Sequence, residues 1–193
     1  MPIHALKRSC RRESGASLIT VLMVLVMLMT LGVAGANLAL TGERSARNQR
    51  DAQIATQAAM SALADAELDL TVTRLAVFDG QTPTAFVSGC GDQGSGDSRG
   101  LCLPEDTGKS AWLTVDFTDT SASAKTVAFG AVTGRTFTFG ISGVQPVQAP
   151  RYIIELITDT NAMSGSTYLY RVTAMGFGTR TDIQAVLQMV YRV

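Results

Sequence analysis

The sequence predicts an α+β protein in which one long N-terminal helix packs on a C-terminal antiparallel sheet. Three observations predict it. No residue from Ala16 through Gly42 is charged, and Leu18 to Leu31 is almost wholly Leu, Val, Met and Ile. From Ala52 to Leu70, apolar residues recur at spacings of three and four. Beyond Trp112, short runs alternate apolar and other residues with the period of two that a strand requires.

The uncharged run comes first. Roughly 20 apolar residues, each rising ~1.5 Å, match a hydrocarbon layer of ~30 Å, so the run reads as one membrane-spanning helix. Lys7, Arg8, Arg11 and Arg12 precede it, opposed only by Glu13. This charge bias keeps the first residues cytoplasmic and sends Glu43 onward across the membrane. Glu43 with Arg47, and Arg47 with Asp51, stand four apart and support the next turns. Ala52, Ala55, Ala59, Ala62, Ala66 and Leu70 then form an apolar stripe, while Arg50, Gln53, Gln57, Ser61, Asp65 and Asp69 hold another face. The cluster Asp65, Glu67 and Asp69 reads as solvated. One helix is expected from about Ser17 to about Leu75, with Gly32, Gly35 and Gly42 as places to bend or unwind.

Asp79 to Gly108 is rich in Gly, Asp, Ser, Thr and Pro and has no periodicity, which predicts a long surface loop. Cys90 and Cys102 lie in it, an even number of cysteines in an exported segment, and are expected to form a disulfide. Zinc fits poorly, because the spacing is wrong and the one histidine, His4, lies at the N-terminus. Strands are expected at Trp112–Phe117, Phe137–Ile141 and Tyr152–Ile157. The clearest pair is Tyr168–Ala174 and Ile183–Tyr191, a hairpin turned at Gly176-Phe177-Gly178.

Three processing routes compete for the N-terminal segment: an uncleaved signal anchor, a secretory signal cut near Ala34-Gly35-Ala36, and a cut ahead of the apolar run. For the last, Arg11-Arg12-Glu13-Ser14-Gly15-Ala16-Ser17-Leu18-Ile19 resembles the class III signal of type IV pilins and pseudopilins. Glu43-Arg44-Ser45-Ala46-Arg47-Asn48-Gln49-Arg50-Asp51, followed by Gln57-Ala58-Ala59, resembles the N-terminal region of PilX-type minor pilins. Pro150-Arg151-Tyr152-Ile153-Ile154-Glu155, Tyr170-Arg171-Val172-Thr173-Ala174 and Val186-Leu187-Gln188 look like that family's C-terminal strands. The middle, about Leu75 to Val147, is not distinctive.

The resemblance implies a pilin-like fold and a division into a prepilin leader (1–15), a transmembrane helix (16–42), a periplasmic half-helix (43–75) and a globular head (76–193) with its disulfide loop at 90–102. It implies cleavage between Gly15 and Ala16 by a prepilin peptidase and N-methylation of Ala16. It implies partners among other minor pilins, the major pilin and a tip adhesin, residence in the inner membrane before assembly, and a place in the pilus, at its tip, afterwards. One departure stands out. Pilins usually carry a Glu five residues after the cleavage site, thought to pair with a neighbour's N-terminal amine, and here Thr20 holds that place. A subunit without it need not dock onto one already in place, as expected at a filament tip. The tip-type minor pseudopilin of type II secretion shows the same absence and is the alternative, beside a signal-anchored or released periplasmic protein.

Chemistry is sparse. With His4 in the leader, the mature chain has no histidine for nucleophilic catalysis or metal binding. Gly89 to Gly100 lacks the lysine and the leading strand of a phosphate loop, and Asp92 and Asp97 lack the spacing of a calcium loop. Residues 16–193 carry 12 basic and 15 acidic side chains, a formal −3 that gives no attraction for nucleic acid. Tyr168, Tyr170 and Tyr191 read as sheet packing. The expectation is a structural subunit with no cofactor and no enzymatic activity.

Overall fold

A computed structural model describes residues 16–104, 108–158 and 168–192. The expected leader, with Gly15 and His4, lies outside them. The chain divides into two compact units, residues 1–47 and 48–193. In the first, the described chain is all helix. It belongs to α1 (Ala16–Leu68), which runs unbroken through Gly32, Gly35 and Gly42.

In the second unit α1 ends seven residues before the expected Leu75. A π-helical turn over Asp69–Thr73 follows, then a 3-10 turn over Leu75–Val77. The wider turn has a local cause. Arg74 N–H donates to Asp69 O at 2.9 Å, and the Arg74 guanidinium reaches back to the Asp69 carboxylate, so the chain closes over five residues instead of four.

The sheet has five strands: β1 (Leu101–Cys102), β2 (Val127–Ala128), β3 (Arg151–Thr158), β4 (Tyr168–Phe177) and β5 (Gln184–Tyr191). Its order is β1-β3-β4-β5, with β2 also on β3. The expected C-terminal hairpin is present, Tyr170 opposite Tyr191 and Phe177 opposite Gln184, and β3 pairs antiparallel with β4. The sheet is nevertheless mixed, because β1 runs parallel to β3, Leu101 opposite Ile154.

Two expected strands are not strands. Ala111–Leu113 forms a 3-10 turn. Ala111, Trp112, Val115 and Phe117 instead pack with Cys90, Cys102, Ile153 and Phe177 on the sheet face away from the helix. Asp116 accepts the Thr118 N–H at 2.7 Å, a local turn that competes with any ladder. Residues 136–142 are irregular: Phe137 packs edge-on between Phe129 and Phe139, while Ile141 is 83% exposed. Their alternation is met by aromatic contacts rather than by a neighbouring strand.

The main core lies between helix and sheet. Ala62, Ala66 and Leu70 meet Tyr152, Ile154 and Leu156 of β3 and Tyr170, Val172 and Ala174 of β4, alternate residues that share one face. Each large side chain so buried stabilises the fold by about 1.5–3 kcal/mol. The small stripe residues let the backbones touch. A Cβ on Gly176 would lie 2.1 Å from Ala55 O and 2.3 Å from Ala59 N, so helix and strand meet there with no side chain between them. Tyr170 packs edge-on against Phe78 at 5.1 Å and stacks on Phe86, and its hydroxyl accepts the Gly80 N–H at 2.8 Å. As expected of the tyrosines, it serves packing.

Candidate assembly surface

Every large apolar side chain from Leu18 to Leu40 is exposed on α1. This is one helix, near the N-terminus, long and apolar enough to cross a membrane, with a mean hydropathy of 2.5 over its best window. Such a row is stable only against lipid or other apolar helices. Its few hydroxyls are satisfied within the helix. Thr20 donates to Ser17 O at 2.9 Å, Thr30 to Met27 O at 2.9 Å, and Thr41 to Asn37 O at 2.9 Å. A threonine closed onto its own backbone costs little in hydrocarbon, where an unpaired carboxylate costs several kcal/mol. Thr20 is thus uncharged and lies in the first described turns of the helix, four residues after Ala16.

Charge begins at Glu43. Glu43 and Arg47 form the expected i,i+4 pair, both exposed. Asp51 does not pair with Arg47; its nearest cation is Arg50 at 3.7 Å.

The head holds carboxylates the sequence reading left in solvent. Asp65 and Asp69 are fully buried, while Glu67 between them is exposed. Asp65 accepts Gly130 N–H at 2.7 Å and the Thr133 hydroxyl at 2.6 Å, with Arg135 at 3.6 Å. Asp69 is gripped by both Nε and Nη2 of Arg74 and accepts the Tyr152 hydroxyl at 2.9 Å. Burial and the Asp69 charge hold that hydroxyl far above the usual tyrosine range. On the opposite face, Glu155 accepts Ala111 N–H at 2.6 Å and Arg171 Nε at 3.0 Å. A buried charge is tolerated only when paired and hydrogen-bonded, and all three are. These oxygens are committed to holding loops on the sheet. One signal was present in the sequence: Asp65 and Asp69 stand three residues after Ala62 and Ala66, at the margin of the buried stripe.

Cys90 and Cys102 are disulfide-bonded, as expected. Cys102 sits in β1, and Gly100 O accepts Ile154 N–H at 2.9 Å, so the bridge ties the loop to the sheet. Arg74 adds a second tie, donating through Nη1 to Asp97 O at 2.6 Å and Arg99 O at 2.9 Å. One arginine thereby fastens the end of the helix to the disulfide loop. Asp92 spends its carboxylate on Gly94 N–H and the Ser95 hydroxyl.

An exposed apolar helix near the N-terminus, which fits a membrane anchor, and a helix-on-sheet head tied by a disulfide loop make a pilin-like arrangement. A family model described as PilX N-terminal matches residues 14–64, and one described as type IV pilus assembly protein PilX C-term matches residues 98–193. The chain belongs to the PilX family of type IV pilus assembly proteins. No curated protein and no solved structure matches it.

Proposed function

We propose that this protein is a minor pilin of the complex that primes the type IV pilus and stays at its tip. The precursor waits in the inner membrane with its N-terminus cytoplasmic and its head periplasmic. A prepilin peptidase cuts between Gly15 and Ala16, and Ala16 is methylated. The subunit then joins other minor pilins and the major pilin, and apolar helices pack side by side as they leave the lipid. A tip adhesin is a further partner. The work is assembly rather than catalysis.

Thr20 is the observation that carries the tip position. Its hydroxyl turns to Ser17 O, where pilins usually offer a carboxylate to the amine of the subunit already in place. The type II secretion alternative shares this feature but not the type IV pilus family match. Thr20→Glu tests the position: the new carboxylate has no designated partner, so piliation stays equal or falls. Immunogold label along the shaft, or increased incorporation of Thr20→Glu, overturns the tip reading.

A further inference from the structure

We infer that the outer edge of β5 is a docking site for an extended, uncharged strand from another subunit of the pilus. The geometry starts at the hairpin. Gly178 N–H donates to Ile183 O at 2.8 Å, and the register pairs Ala185 with Gly176, Leu187 with Ala174, Met189 with Val172 and Tyr191 with Tyr170. These residues turn their backbone groups inward, so Gln184, Val186, Gln188 and Val190 turn theirs out of the sheet. Among the described residues, nothing bonds to those outward N–H and C=O groups. The same four side chains lie on the face away from the helix, with Val186 40% and Val190 61% exposed.

Natural sheets blunt such an edge with Lys, Pro, a bulge or a very short strand. Here Ile183 through Tyr191 contains no charge, no Pro and no Gly, and β5 is eight residues long. The opposite edge of the sheet is treated differently, since β2 and β1 already pair with β3 between Arg151 and Glu155. Main-chain bonds along β5 would hold any extended segment, and the uncharged row selects one that brings no charge beside Val186 and Val190. Gln188 gives its amide Nε2 to Thr173 Oγ1 at 2.9 Å, which holds its side chain on the sheet face while its backbone groups stay turned outward. A chain that belongs to a pilus assembly family has other pilus proteins as neighbours, and the incoming strand is assigned to one of them. The inference rests on the assembly role and not on the tip position.

The test uses the full-length protein in piliated cells. Val186→Pro removes one outward N–H and keeps the inward bonds of Ala185 and Leu187; Gln188→Lys places a charge on the exposed face of the edge. Both variants should keep the oxidised Cys90–Cys102 bridge and the parental melting temperature, yet fall about tenfold or more in pilus incorporation. A photo-reactive residue at Val190 should form an adduct that maps to an extended segment of another pilus subunit. If Val186→Pro fails to fold, Gln188→Lys decides. Parental incorporation of the folded variants, an adduct with a second copy only, or no adduct overturns the inference. Failure of the tip reading is distinct: label would appear along the shaft while the edge variants remained excluded.

Discussion

The two halves of α1 share a backbone and little else. From Leu18 to Leu40 every large side chain is exposed, and hydroxyls close onto their own carbonyls. From Ala55 to Ala66 the helix buries alanines so small that strand backbone meets helix backbone at Gly176. The first half has no fixed neighbour among the described residues that would select one apolar side chain over another. The second tolerates almost no change, because its neighbour is a fixed sheet.

The largest expected effect breaks the fixed half. Arg74→Met leaves the buried Asp69 with Tyr152 alone and should cost about 3–5 kcal/mol in urea unfolding of the detergent-solubilised protein. Adding Asp69→Asn, which removes the stranded charge and still meets the Tyr152 hydroxyl, should restore part of that loss; if the double variant is worse than the single, the charge account is wrong. Replacing Cys90 and Cys102 with Ser should cost about 3 kcal/mol. Gly176→Ala should cost about 1–3 kcal/mol, since the added methyl meets backbone that cannot give way. A melting point equal to the parent's would show that helix and sheet separate freely.

Acid has a smaller effect. Asp79, Asp92, Asp116 and Asp119 are all held below the usual aspartate range by hydrogen bonds, chiefly to Thr82, Ser95, Thr118 and Ser121 respectively. A lowered folded pKa adds stability that is present above the unfolded value of about 3.9 and lost as pH falls through the folded value. The melting temperature should therefore drop below about pH 4 as these turns loosen. Smallest of all, Leu25→Met and Thr20→Val should leave the head's melting point unchanged, whereas Ala59→Met should lower it. That contrast sharpens the comparison of the two halves directly.

The same contrast explains what the sequence made legible. The anchor depends on composition alone, so Ala16–Gly42 could be read without a partner. The stripe from Ala55 to Leu70 and the β4–β5 hairpin are local periodicities, and they too were readable. Trp112–Phe117 and Phe137–Ile141 were not, because alternation over about six residues is also satisfied by a turn packed on a second core. The burial of Asp65 and Asp69 depended on Gly130, Thr133 and Tyr152, more than 60 residues away in sequence. Two-residue β1 carries no periodicity, and its partner Ile154 lies more than 50 residues further along the chain.

Strand β3 has one long edge shared by two short fragments, β2 beside Arg151 and Tyr152 and β1 beside Ile154 and Glu155. They approach from opposite chain directions, and beyond β1 a bridge from Val87 to Cys102 covers the next row. Among the described residues, the longest unpaired run of backbone is therefore on β5, and the other edge offers only short, largely paired fragments. If a segment joins at β5 as inferred, the next molecule would find no edge of matching length across the sheet, and the fold would act as a terminator rather than a template.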